Sequence, residues 1–425
     1  MGFTLPFLHK FRSKKAASAF ASKEFDPKEI YLSLDVGTRY IKAILFQIPS
    51  VSEIKIVGYA RIAQKYGAMR DAMIVNLGQV IEACDICIGK SLELAERRMG
   101  RLPLPTKAVI GIAGELVRGV SVLAHYERSN PEQKIELEEL HSVIQQVKED
   151  SFAGALEDIA GEVGIISEQI AEISTKIDAT HIDGQLVLDP LGFTGKDVDY
   201  RVYCTFAPKL HLNSLYDLAR ELGLEEATIV VQPYATARAM KELRQSSAGA
   251  IVVDMGGGTT DIALINNGGV LGTKMFAFGG DVLTKRIANH FNLELPAAEE
   301  LKLDYSDGLA NPSQQKEIRS ILSQDLQIWV EGVQIALEEL LDDEEGELEK
   351  LPSQIFLCGG GVALPEVREL LLEHPWLTSL PFSKFPKITY LYPNQLVGVT
   401  DETRLLVDPS DVTPAAIARM AIDVG

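Results

Sequence analysis

The sequence predicts an α/β protein built as two comparable halves, and three glycine-rich segments predict it. The first is a hairpin from Ile30 to Gln47, in which two apolar β-rich runs are broken at Asp35-Val36-Gly37-Thr38. The second, from Ala250 to Asn266, is broken in the same way at Asp254-Met255-Gly256-Gly257-Gly258-Thr259. Each first run ends on an Asp, and each turn is of the tight kind that glycine's open backbone permits. The third segment, Ser353 to Leu372, is a short apolar strand, then Gly359-Gly360-Gly361, then a helix with Pro365 in its first turn.

The remaining elements follow in chain order. The opening MGFTLPFLHKFRSKKAASAF carries Lys10, Arg12, Lys14 and Lys15 and no acid before Glu24. On a helix, Phe3, Phe7 and Phe11 would share a face, with the basic residues set for lipid headgroups. Pro6 discourages regular helix, so a frayed terminal extension stays open as the other reading, and Pro6 also stands where a myristoylated Gly2 start needs Ser or Thr. Gln79 to Arg98 has a helical pattern and holds Cys84 and Cys87 as a CxxC. Cys204 and Cys358 offer no second pair, so these read as buried cysteines rather than metal ligands. Ala108 to Ala113 reads as a strand and Ile135 to Ile177 as a long helical stretch. From Gln314 to Leu341 the stripe Ile318, Ile321, Leu322, Trp329, Val333, Leu337 marks a core-facing helix. Asp342 to Glu347 reads as a solvated acidic loop, and TPAAIARMAIDVG as a closing core helix.

Composition narrows the function. The chain has 425 residues, 41 Lys+Arg against 60 Asp+Glu, and a net charge of -19. That length suits roughly three domain-sized units. The acidic balance argues against coating nucleic acid, which needs a basic surface. No apolar run approaches the roughly 18 to 20 residues of a membrane span, and no cleavable leader follows the start, so the chain reads as cytoplasmic. The histidines form no HxxxH pair, which leaves histidine-based metal catalysis unsupported.

The paired turns carry a specific chemistry. Backbone N–H groups in a glycine turn approach phosphate oxygens closely, and a Thr hydroxyl adds a donor. Two such turns face to face would clamp a polyphosphate. An Asp beside each would hold Mg²⁺, which keeps several waters and is usually bound by one or two carboxylates plus phosphates. Lys42 would add a cation, and the third glycine cluster would let a base and ribose lie flat on the backbone.

These three segments, in this order, resemble the ATPase core shared by actin, the sugar kinases and the chaperone ATPases, matching its phosphate 1, phosphate 2 and adenosine signatures at Asp35 to Thr38, Asp254 to Asp261 and Gly359 to Gly361. No GxxxxGK[ST] occurs, which argues against a P-loop enzyme. Further stretches resemble the bacterial cell-division family FtsA. They are GYARIAQKYGAMRDAMIVNLGQVIEA from Gly58, KAVIGIAGELVRG from Lys107, DPLGFTGKDVDYRVYCTFAP from Asp189, ARELGLEEATIVVQPYATARAM from Ala219, and Gly279 to Tyr305.

The resemblance implies a two-lobed actin-like, ribonuclease H-like fold with an inserted SHS2-type subdomain 1C. It implies an N-terminal extension over 1–27 and subdomain 1A over 28–105 and 205–235, with a return over about 390–425. Subdomain 1C would cover 106–204, 2A would cover 236–278 and 326–389, and 2B would cover 279–325. It further implies that Asp35 and Asp254 hold Mg²⁺ through water. Gly37, Thr38, Gly256, Gly257, Gly258 and Thr259 would cradle the phosphates of ATP, Glu299 and Lys302 would contact ribose and adenine, and Gly279 and Gly280 resemble a turn of the family.

Gln232 stands where the family usually has Glu and actin has Gln. An amide orients water but takes no proton, so the expectation is ATP binding with slow or vanishing turnover, Asp261 helping to position water. The implied role is to self-associate through 1C and tether filaments of the tubulin-like FtsZ, with other division proteins, on the cytoplasmic face of the membrane at the division septum. Chains of this family usually end in an amphipathic membrane helix, so the expectation here is either a shortened chain or an anchor moved to residues 1–24. The alternatives are a PilM-like scaffold of type IV pilus assembly and a small-molecule kinase on the same fold.

Overall fold

The computed structural model describes residues 26 and 28–423, apart from 165, 188, 241–248 and 343–347. The expected membrane segment over 1–24 and all but the first residue of the acidic run Asp342 to Glu347 lie outside the described residues.

The first half opens with β1 (Tyr31–Val36), β2 (Tyr40–Ser50) and β3 (Glu53–Ala63), the small ribbon β4 (Met69–Arg70) and β5 (Met73–Ile74), helix α1 (Leu77–Met99) and β6 (Lys107–Ile112). An insert follows, made of β7 (Arg118–Glu127), α2 (Leu137–Val163), β8 (Ile170–Ile182), β9 (Gln185–Val187) and β10 (Asp197–Pro208). Helix α3 (Lys209–Glu221), β11 (Glu226–Val231) and α4 (Gln232–Ala239) close this half. The second half contains β12 (Ala250–Met255), β13 (Thr260–Asn266), β14 (Gly269–Phe276), α5 (Gly280–Phe291), α6 (Leu295–Ser306), α7 (Pro312–Asp342), β15 (Gln354–Cys358), α8 (Pro365–Glu373), α9 (Trp376–Ser379) and β16 (Lys387–Tyr390). The chain then returns to the first half through β17 (Val399–Asp401) and α10 (Val412–Arg419).

The two halves repeat one sheet. In the first the order is β11-β6-β1-β2-β3, with β17 added at the edge; in the second it is β16-β15-β12-β13-β14. Within each, the glycine-turn hairpin and the next strand are antiparallel, and the other two strands run parallel to the hairpin's first strand. Strands β1 and β12 are buried along their whole length, as expected of central strands covered on both faces. Helix α10 packs on β1, where the Ser33 hydroxyl donates to the Pro414 carbonyl at 3.2 Å. Helix α1, capped by the Asn76 side chain, packs on β2 and β3 and buries Cys84 and Cys87. The stripe of α7 faces the second core, with Ile321 only partly buried.

The insert has a core of its own around Val143, Val147, Val198, Val202 and Phe206. It joins the second half's sheet through one pairing of β7 with β14, Gly119 opposite Thr273. Several expectations are corrected here. Strand β6, assigned from sequence to the insert, lies in the first sheet between β1 and β11, because Ala108, Val109 and Ile110 are fully buried between its neighbours. The insert correspondingly runs on to Pro208, the end of β10. The helical stretch expected to reach Ile177 stops at Val163, where Gly164 adopts a left-handed conformation at φ 71°. The β-branched run from Ile170 then pairs with β10. The boundaries expected at 235/236 and 325/326 fall inside α4 and α7.

Candidate functional site

A cleft of about 1020 Å³, counting its open mouth, lies between the halves. Its floor is where the two hairpin turns meet. A Cβ on Gly258 would come within 2.6 Å of Thr38 Oγ1, so only glycine lets the turns abut this closely. Gly359 closes the same floor from β15 at φ 88°, where a Cβ would lie 2.1 Å from Asp254 Oδ1. Gly37, Thr38, Lys42, Gly256, Gly257, Gly258, Thr259, Gly280, Glu299, Lys302, Gly360 and Gly361 line the cleft with them. Gly279 does not; it caps α5 from behind, against the backbone of Gly257.

Three carboxylates crowd the floor. Asp35 is the penultimate residue of β1, and Asp254 and Asp261 are register partners across β12 and β13. Lys42 sits 3.6 Å from Asp35 Oδ2 and donates to the Ser410 carbonyl. Burial raises the Asp35 carboxyl above its ordinary range, against the pull of Lys42 and of the Gln232 amide. Burial also raises Asp254, partly offset by a hydrogen bond from the Thr413 hydroxyl. Asp261 is pushed well above the ordinary range by burial and then by Asp254, and its Oδ1 has no hydrogen-bond partner.

This arrangement fits a hydrated divalent cation beside a polyphosphate. Three buried carboxylates outnumber the cations Lys42 and Arg61 that face them, one carboxylate oxygen is orphaned, and the glycine turns leave the phosphate-sized approach open. Among the described residues no cluster of three or more His, Cys, Asp or Glu is close enough to ligate a metal directly. Carboxylates acting through water need no such cluster.

Gln232 opens α4, with Pro233 in its first turn, and donates its side-chain amide to Asp35 Oδ1 at 3.1 Å. That fixes the amide nitrogen and leaves the amide oxygen as the group able to accept a hydrogen bond from water. On α6, Lys302 donates to Glu299 at 2.8 Å, to Thr284 Oγ1 at 2.7 Å and to the Gly280 carbonyl at 3.0 Å. Burial works against the Glu299 charge, but Lys302, Thr284 and Arg39 outweigh it and hold the carboxyl below its ordinary range. The pair is thus a network on one cleft wall.

The structure adds Arg39, Arg61, Leu303, Ser306, Ser410 and Thr413 to the lining. Leu303 and Ser306 were findable by helical spacing, four residues after Glu299 and Lys302 respectively. Arg39 is adjacent to Thr38, but nothing in the turn's spacing distinguishes it. Thr413 reaches Asp254 from 159 residues away and leaves no local signal.

The family model described as "Cell division protein FtsA" matches residues 251–395. The chain is 24% identical over 376 residues to "Cell division protein FtsA" of Neisseria meningitidis serogroup B (strain ATCC BAA-335 / MC58), covering 84% of this chain and 85% of that one. It is also 24% identical over 357 residues to the protein of that name from Bacillus subtilis (strain 168), covering 80% and 76%. Among solved structures it resembles a chain of the "PilM-PilN type IV pilus biogenesis complex", with a TM-score of 0.64, 16% identity, and coverage of 93% of this chain and 99% of that one. That last likeness bears on the fold alone, the two-lobed actin-like α/β architecture.

Proposed function

The chain belongs to the FtsA family, whose role is in cell division, and from that premise we propose that it binds Mg·ATP between its halves, self-associates through the insert, and tethers FtsZ filaments to the cytoplasmic face of the membrane. The observation that carries the nucleotide part is the abutment of two glycine turns, Thr38 against Gly258, over the buried Asp35, Asp254 and Asp261. The turns and Thr38 donate to phosphate oxygens, Lys42 offsets their charge, and Asp35 and Asp254 hold the waters of the cation. Glu299 and Lys302 would contact the ribose and base, with Gly359 to Gly361 as the open backbone beneath them. Bound Mg·ATP would supply a phosphoanhydride bond and its counter-ion. Gln232 orients water without taking its proton, so turnover stays below about 1 s⁻¹.

No helix among the described residues is long and apolar enough to cross a membrane. Membrane association therefore rests on the family reading, with residues 1–24 or a partner as the attachment. Sedimentation of the wild type and of Asp254→Ala, each with and without Mg·ATP and FtsZ, tests the proposal. The wild type should co-sediment with FtsZ and respond to nucleotide, and Asp254→Ala should lose the response. An absence of FtsZ binding, with capture of a pilus inner-membrane peptide instead, would move the chain to the pilus-scaffold reading.

A further inference from the structure

Arg39 follows Thr38 in the first glycine turn, and its side chain is 10% exposed inside the cleft. Three contacts fix it. Its aliphatic stem lies over Gly257, where a Cβ would come within 2.6 Å of Arg39 Cγ. Its guanidinium stacks on the Tyr66 ring at 3.3 Å. Its Nε pairs with Asp281, the second residue of α5 in the opposite half. Tyr66 makes a second bond across the cleft, its hydroxyl donating to the Leu295 carbonyl at 3.1 Å. The backbone completes the clasp, because Asp281 N–H donates to the Gly257 carbonyl at 2.8 Å and Gln64 N–H to the Arg39 carbonyl at 2.8 Å. A guanidinium in the first phosphate turn is thus tied by one carboxylate to the second half, directly beside the other phosphate turn.

A polyphosphate entering this cleft would compete for that guanidinium. It carries more negative charge than one carboxylate, and its oxygens match the planar fork of arginine. We infer that Arg39 is a phosphate-responsive latch: without ligand it joins the halves through Asp281, and with a polyphosphate in the cleft it exchanges Asp281 for phosphate oxygens. The inference rests on the nucleotide reading of the site and adds a binding residue and a restraining residue to it. Asp281 then acts against binding by holding the cation, while Tyr66 keeps the guanidinium in the plane of the turn through both states.

Calorimetric titration of Mg·ATP into the full chain tests this, with a thermal melt on each protein. Arg39→Ala should weaken Mg·ATP binding ~10-fold or more, as loss of a charge-assisted hydrogen bond does, and keep a cooperative melt. Arg39→Lys, which retains charge but not the fork, should fall between. Asp281→Asn should bind Mg·ATP more tightly than the wild type. If Arg39→Ala does not melt cooperatively, Asp281→Asn decides alone, and unchanged or weaker binding there overturns the latch. Wild-type affinity in Arg39→Ala overturns it as well. A wild type that binds no Mg·ATP overturns the nucleotide reading itself, which separates the two failures.

Discussion

The hydroxyl of Tyr234 donates to Asp178 Oδ1 at 2.9 Å, tying the helix that begins with Gln232 to a buried carboxylate on the insert. The same carboxylate faces Arg238 at 3.4 Å and accepts the Val270 N–H from the second half, while Arg238 also donates to the Asp178 carbonyl at 3.0 Å. The insert and both halves therefore converge on Asp178. Burial and then Asp178 push the Tyr234 hydroxyl well above its ordinary range, which keeps it a donor.

Removing that carboxylate deprives the largely buried Arg238 of its ion pair with Asp178 and the Tyr234 hydroxyl of its acceptor. Asp178→Ala should destabilise the fold by roughly 3–5 kcal/mol, the usual cost of breaking a buried pair from one side. Asp178→Asn retains an acceptor for Tyr234 and should cost less. Urea unfolding measures both, and a loss under about 1 kcal/mol for the alanine variant would show that the junction does not depend on Asp178.

Acid should loosen the cleft through His211. This histidine on α3 is 2% exposed, its Nδ1 has no partner, and its ring bonds to the Ala72 backbone. Asp71 and Ala72 hold left-handed conformations at φ 50° and 63°, and Ala72 N–H donates to Thr38 Oγ1 at 3.3 Å. Burial pushes the imidazole from 6.5 down to about 4. A depressed value means that the unfolded chain takes up the proton first. The stability His211 protects is thus present above the ordinary value and lost as pH falls toward the folded one, by roughly 3 kcal/mol in all. His211→Gln should flatten the difference in unfolding free energy between about pH 7 and about pH 5. An equal slope in wild type and variant would place the acid sensitivity elsewhere.

Gln232→Glu should raise turnover and cost stability together. A carboxylate there can take a proton from water, a contribution of about 10²-fold or more in general-base catalysis. Without ligand, however, it would face Asp35 at the place where the amide now donates at 3.1 Å. Phosphate release and thermal melting measure the two effects; unchanged turnover with Mg·ATP bound would remove Gln232 from the account.

Gly359→Ala should abolish nucleotide binding and destabilise the second half. The added methyl would sit 2.1 Å from Asp254 Oδ1 at φ 88°, so backbone and carboxylate cannot both stay in place. A cost of roughly 2 kcal/mol or more is expected, read by urea unfolding. Wild-type stability would mean that the floor of the cleft yields more easily than its packing indicates.

The hairpins were legible because a tight glycine-containing turn between apolar β-rich stretches has few other solutions, but the repeated sheet around them depends on strands far away in sequence and became visible only in the fold. Strand β6 was harder to place. Lys107 to Ile112 is apolar on both faces, and periodicity alone cannot say which sheet covers it. The turn from α2 into β8 hinged on Gly164, one glycine in a helix-rich stretch. Cross-cleft contacts were invisible for a different reason. Arg39 meets Asp281 242 residues away and Thr413 meets Asp254 159 away, and such pairs form only when the halves close.

The central claim is that the abutting turns and their carboxylates bind Mg·ATP. Calorimetric titration of Mg·ATP into the wild type and Asp254→Ala, with chelation of Mg²⁺ as a third arm, tests it most directly. The wild type should bind saturably, Asp254→Ala should lose roughly 100-fold or more in affinity with its cooperative melt retained, and chelation should cause a similar loss. Equal affinity in both proteins, or no binding by the wild type, would contradict it.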